Sequence, residues 1–395
     1  MDIKEVLLKD VKLGMCLAAD VSNVRGIPLF QKGFYFTSRE QIIRLQDEGL
    51  KSIPVNMTIS LIDTRSEKEK IHSAEAGKKE FENPERRIEY LKIEKAKVKE
   101  LYKASQDIIN ETMNSARFGK ALEQNVIKKQ AIDVLNSIKR DNLALLSLLN
   151  LKNFDEYTYT HSLNVAVLAT AFAWHMKFPE DKLLSIGRGA FLHDIGKAKV
   201  PLSILNKPDR LDDSEFKIMQ MHPSYGEQIY QRENMTNQVE VDIVLHHHES
   251  YDGSGYPSKQ AGNEINKFAA IVSISDFYDA LTTERVYKKV IHPSEAIQIV
   301  YSQSGKKFDP RVVNHFIKTV GIYPIGSLVE LSNEQIAMVV AFSRENLLKP
   351  VVQILQLENG ILVSQNKIIS LLDSDIYIKS IYKGDVKIVE QNVMA

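Results

Sequence analysis

The residues with the most chemistry in this sequence are its histidines. Seven of the ten fall within 161–248, among them His161, His193, His222, His246, His247 and His248, and Asp276 follows. Imidazole is a common ligand of transition metals, and buried histidines without a partner are uncommon, so this clustering favours a metal site over chance. At its centre stands Phe191-Leu192-His193-Asp194-Ile195-Gly196-Lys197. An adjacent His and Asp point to opposite faces of a strand, yet at a helix end or turn both reach one ion, one through nitrogen and the other through oxygen. That mixed donor set suits Zn, Mn or Fe. The other four histidines, His72, His175, His292 and His315, have no such company and read as ordinary surface or core residues.

In order and approximate spacing, His161-Ser162, His193-Asp194 with Lys197, His222-Pro223, His247-His248-Glu249, Gly255-Tyr256-Pro257 and Asp276 resemble the HD-GYP domain, a branch of the HD metal-dependent phosphohydrolases. The resemblance covers about Asp155 to Val320. It implies that His161, His193, Asp194, His222, His247, His248 and Asp276 ligate two divalent metal ions, Fe or Mn foremost and Zn or Ni next, with Asp194 between them. Two such ions lower the pKa of a bridging water to give hydroxide at neutral pH, and they clamp phosphate oxygens. The implied reaction is hydrolysis of cyclic di-GMP to linear pGpG, and onward to GMP, with Asp194 and Lys197 as catalytic residues.

A phosphodiester releases a poor alkoxide leaving group. Lys197 is the expected general acid, or the cation that stabilises the developing charge; a solvated lysine at a helix end is the plain alternative. If their segment is helical, Arg285 and Lys288 share a face and can hold phosphate, Arg as a bidentate fork and Lys as a point charge. The resemblance gives that role to both. It also makes Gly255, Tyr256 and Pro257 a substrate-loop candidate. Glycines there permit positive backbone torsions and close approach, and Tyr256 can stack or donate a hydrogen bond, although a purely structural turn needs the same glycines.

Two departures matter. Three histidines stand where the family pattern uses two, which leaves His246 facing elsewhere, and Tyr157 occupies the position where some members hold a third metal with Glu. Two ions are therefore expected. Two rival readings stay open: a phosphohydrolase for another cyclic or linear nucleotide, and a catalytically silent module that binds or docks a cyclic dinucleotide. No ligand and no lysine is missing, which disfavours the silent module.

The elements that must position these residues follow from pattern and composition. A chain of 395 residues has room for two or three domains. Its 51 basic residues balance 51 acidic ones, so no nucleic-acid polymer partner is indicated and an anionic substrate must be held by a few local cations and ions. One cysteine, Cys16, excludes an internal disulfide and a cysteine-based zinc site. No run approaches a membrane span, and charges interrupt the first apolar residues, so a soluble cytoplasmic protein of bacterial type is expected.

The expected architecture is multidomain. Residues 1–60 read as a small α+β domain, with Thr37 and Glu40 as a capping box for a helix that Gly49 ends. Residues 61–145 read as a charged linker and helices, whose apolar stripes either pair in a homodimer or pack on their own domain. Residues 146–322 read as the mostly α-helical HD-type catalytic domain, and 323–395, with β-branched runs between turn signals, as a small all-β module. Helices are expected over Leu183 to Phe191, Phe216 to Tyr230, Val239 to His248 and Phe268 to Leu281. The terminal modules name no ligand; a signalling-protein partner or simple stabilisation fits either.

Overall fold

The computed structural model describes residues 3–11, 15, 17–23, 26, 28–30, 36, 39–56, 84–150, 157–283, 291–341, 346–358, 361–372, 374–382 and 387–388. Two compact units partition the chain, one of residues 1–90 with 320–395 and one of 91–319.

In the first unit, β1 (Ile3–Leu7) pairs antiparallel with β4 (Ser52–Asn56), β2 (Val21–Ser22) with β3 (Pro28–Phe30), and α1 (Arg39–Asp47) packs beside them. Leu17, Phe36, Leu45, Ile53 and Val55 form a dry core. The charge-interrupted opening of the chain is thus a strand, and Thr37 of the expected capping box lies outside the described residues. The same unit holds a six-stranded sheet ordered β10-β8-β7-β6-β5-β9, made of β5 (Leu328–Leu331), β6 (Ile336–Ala341), β7 (Val351–Glu358), β8 (Ile361–Ser370), β9 (Ile378–Ile381) and β10 (Lys387–Ile388). All neighbours are antiparallel except β10 with β8. Val329, Leu331, Val339, Val352 and Ile354 alternate onto one buried face, as a half-buried sheet requires.

The second unit is helical. Long helices α2 (Pro84–Arg117) and α3 (Gln124–Asn150) are separated at Gly119, whose φ of +69° ends the first. Ile127, Ala131, Val134, Leu135 and Ile138 give α3 a buried stripe of helical period. Next come α4 (Tyr157–His175) and α5 (Glu180–Phe191). From Leu163 to Ala173, α4 is buried on nearly every side, because the segment carries no charged residue and suits a central position. It packs on α3, on α5 and on α10 (defined below), and Tyr102 on α2 donates to Asn164 Oδ1 at 2.9 Å.

After α5 the chain turns through His193-Asp194 into a 3-10 segment, Ile195–Lys199, then α6 (Leu202–Leu205) and α7 (Asp213–Met219). Helix α8 (His222–Arg232) follows, with α9 (Gln238–His246), α10 (Lys267–Thr282), α11 (Pro293–Ser302) and α12 (Pro310–Val320). The single helix expected over Phe216 to Tyr230 is therefore two. Pro223 starts the second, where its missing N–H costs nothing.

Candidate metal centre

Five separate stretches of helix or turn deliver the expected ligands to one place. His161 lies in the second turn of α4, and His193-Asp194 in the turn that ends α5. His222 opens α8, His247 and His248 follow α9, and Asp276 sits within α10. Their donor atoms fall into two groups, each within 4.8 Å: Asp194, His222, His247 and His248 in one, and His161, His193 and Asp276 in the other. Asp194 spans both. Its Oδ1 lies 3.3 Å from His222 Nε2 and 3.9 Å from His247 Nε2, and its Oδ2 lies 3.4 Å from His193 Nε2 and 3.9 Å from His161 Nε2.

Hydrogen bonds on the far side of the rings fix which nitrogen faces inward. His193 Nδ1 lies 2.7 Å from Ala190 O, His222 Nδ1 2.8 Å from Met219 O, and His247 Nδ1 3.0 Å from Val244 O. A carbonyl oxygen only accepts, so each Nδ1 carries a proton and each ring turns Nε2 toward the centre. His161 is held differently, by donation from Nδ1 to Asp279 Oδ2 at 2.8 Å. Asp279 is buried and also accepts from Thr283 Oγ1 at 3.1 Å. It is the site residue that the sequence reading missed. The available signal was its spacing, three residues from Asp276 on one helix face.

Without a cation this arrangement is unfavourable. His222 Nε2 and His247 Nε2 face each other at 3.3 Å, while His193 Nε2 and Asp194 Oδ1 are buried without a hydrogen-bond partner among the described residues. Orphaned buried acceptors converging in this way fit bound cations. Burial pushes His222 down to about 4 and His248 down to about 3, and it lowers His247 as well, so all three are neutral ligands at pH 7. Burial also works against a charge on His161, but its bonds to Asp276 and Asp279 outweigh that and raise it to about 9. For Asp194, burial favours the acid form, yet Lys197 and His193 more than offset it and hold the carboxyl well below its usual range. Asp276 is held low against burial by His161, His193 and His248.

Lys197 is anchored at this site, donating from Nζ to Asp194 Oδ2 at 2.6 Å with its side chain 30% exposed. Tyr256 lies over His248 with ring centroids 4.8 Å apart, and burial foremost, then Asp194 and Asp276, raises its phenol well above the ordinary value. Gly255 is required by packing, since a Cβ there would meet Ser250 N at 2.3 Å. Glu249 organises the loop by accepting from Ser258 N and Gln260 N at 2.7 and 3.1 Å, and Pro257 follows Tyr256 through a cis peptide. His246 belongs to neither donor group, its Nδ1 lying 3.7 Å from Glu249 Oε1. Arg285 and Lys288 lie outside the described residues, as does the side chain of Tyr157.

An HD domain model matches residues 144–312. A cyclic di-GMP phosphodiesterase of Pseudomonas aeruginosa, PA4108, is 32% identical over 353 residues, which cover 89% of this chain and 85% of that protein. The chain belongs to the HD-GYP family. Other similar proteins include a 3'3'-cGAMP-specific phosphodiesterase of Vibrio cholerae, 36% identical over 157 residues that make up 40% of this chain and 30% of that one. The solved structure of Bd1817, an HDG"Y"P protein from Bdellovibrio bacteriovorus, aligns with a TM-score of 0.46 and 19% identity over 80% of this chain and 98% of its own. The mostly helical HD-type domain, the small α+β N-terminal region and the C-terminal strands agree with the expected fold class. HD-domain phosphohydrolases are metal-dependent, and this HD-GYP chain has the His and Asp clusters to hold metal. Among the described residues no helix is long and apolar enough to cross a membrane.

Proposed function

We propose that the chain is a metal-dependent phosphodiesterase that hydrolyses cyclic di-GMP to linear pGpG and onward to GMP. The observation that carries the reading is Asp194, whose two oxygens face two separate histidine groups. Each group would hold one divalent ion: His222, His247 and His248 with Asp194 in one, and His161, His193 and Asp276 with Asp194 in the other. Fe or Mn suits these donors best, with Zn or Ni next. When bound, the ions supply Lewis-acid activation of water and neutralise phosphate charge.

The remaining work falls to the protein. Water attacks phosphorus in line and gives up a proton to solvent, the bond to the ribose oxygen breaks, that oxygen takes a proton from the Lys197 ammonium, and Lys197 regains one from solvent. Lys197 is placed for this by Asp194 and stays partly open to a substrate. Tyr256, with its phenol kept protonated, offers a ring edge and a hydrogen-bond donor beside His248, and Gly255 and Pro257 shape the loop that holds it. Arg285 and Lys288 bind the substrate phosphates. A homodimer through α2 and α3, and a signalling partner at the terminal modules, belong to the same proposal; sedimentation of the full chain tests the first.

The test is turnover of cyclic di-GMP by protein reconstituted with Fe(II) or Mn(II), run beside Asp194→Ala. Metal-dependent cleavage by the parent alone is expected. The similarity to a cGAMP-specific phosphodiesterase makes 3'3'-cGAMP the second substrate to include. Faster cleavage of it would replace the guanine-only assignment, and tight binding of both without cleavage would turn the reading into a docking module.

A further inference from the structure

Beside the loop that follows the histidine run lies a cavity of about 540 Å³, within the size range of small-molecule sites. None of the seven candidate metal ligands lines it. One wall is the start of α10, including Lys267, Phe268, Ala270 and Ser273, and the facing wall includes Tyr251, Lys307 and Phe308.

The charges in this cavity are unevenly committed. Glu249 accepts two backbone N–H groups, Glu264 Oε2 accepts from Ala261 N, and Asp309 is paired with Arg311. Lys267 and Lys307 lie against rings instead. Lys267 Nζ is 5.1 and 5.2 Å from the Phe178 and Phe268 centroids, Lys307 Nζ is 5.6 and 5.9 Å from those of Phe277 and Phe308, and neither has a carboxylate within 4.0 Å among the described residues, Asp276 and Asp252 acting on Lys307 from farther off. The positive end of the α10 dipole opens onto the same space, with Asn266 capping the Phe268 N–H. Ser273, only 4% exposed, also lines the cavity, its hydroxyl oxygen covered and without a hydrogen-bond partner among the described residues.

We propose that this cavity is a second ligand site, distinct from the metal centre, that takes a purine nucleoside monophosphate. The Lys267 and Lys307 ammonium groups and a helix start meet the phosphate, and Tyr251, Phe268 and Phe308 supply apolar walls for the base. The occupied site would reach the catalytic loop, because Tyr251 N and Asp252 N donate to Lys307 O and Lys306 O at 3.0 and 2.9 Å. The proposal does not depend on the phosphodiesterase reading, and its test needs no turnover.

Calorimetric titration of the metal-stripped full chain with GMP, guanosine and inorganic phosphate decides the matter. GMP is expected to bind one to one, with guanosine and phosphate each at least about tenfold weaker, the worth of one charge-assisted contact. Lys307→Gln and Ala270→Leu, the latter filling the cavity, are each expected to weaken GMP at least about tenfold while the melting temperature holds. Asp194→Ala should leave GMP binding unchanged. No binding of GMP, binding indifferent to both cavity substitutions, or binding abolished by Asp194→Ala would overturn the site. Phosphate bound as tightly as GMP would overturn the nucleotide assignment.

Discussion

His161 accepts orientation from a carboxylate, whereas His193, His222 and His247 take theirs from main-chain carbonyls. A charged acceptor behind the ring strengthens the donor power of the opposite nitrogen, so Asp279 should matter to metal affinity without touching a metal. Asp279→Asn is expected to weaken metal binding by about 10- to 100-fold in titrations of stripped protein. Unchanged affinity would leave the residue a packing role only. Asp194→Ala has a larger reach because its two oxygens face both donor groups; metal content should fall, and turnover by at least about a thousandfold. The seven residues that converge here were legible in the sequence because few side chains bind metals and their order along the chain is distinctive. Asp279 was not, since an aspartate on a helix is ordinary until the fold shows what it faces.

Elements are held to this site by close backbone contact. A Cβ on Gly196 would lie 1.9 Å from His222 O and 2.4 Å from Gly226 N, so the segment bearing Lys197 rests directly on the start of α8. Gly196→Ala must push them apart, at a cost of roughly 2–4 kcal/mol and a fall of about 5–15 °C in melting temperature. A thermal melt within a degree of the parent would contradict that contact.

Away from the site, Glu240 on α9 is buried 3.3 Å from Arg188 on α5, and burial raises its carboxyl from 4.5 to about 7 despite the arginine. Between those values the folded chain holds a proton that the unfolded chain has released, so stability falls as pH rises through the window. The loss amounts to roughly 3 kcal/mol above pH 7, and Glu240→Gln should erase that slope in denaturant melts from pH 4.5 to 7.5. Helix positions were readable from apolar period, yet the break at Gln220-Met221 was not, because apolar residues continue across it and only Pro223 marked the restart.

At the scale of the whole chain, the metal centre lies wholly within the 91–319 unit. Ligands that bind only the folded state stabilise it by mass action, by about 2.7 kcal/mol at a hundredfold excess over Kd. Calorimetry with and without chelator should therefore show one transition moving down as metal is removed and another staying in place. Both transitions shifting together would mean that the two units melt as one. The strand rhythm after Val320 was legible as β-structure, but strand order was not. Short runs reveal periodicity, whereas the parallel pairing of β10 with β8 is set by contacts distant in sequence.

Main-chain carbonyls cannot be deleted by substitution. Mutational drift at Ala190, Met219 or Val244 leaves the acceptors that aim three of the rings, and those positions are buffered against heredity's errors. His161 has no such insurance. A single codon change at Asp279 would blunt the centre while sparing every ligand, and a descendant lineage could lose the activity with its signature motifs intact.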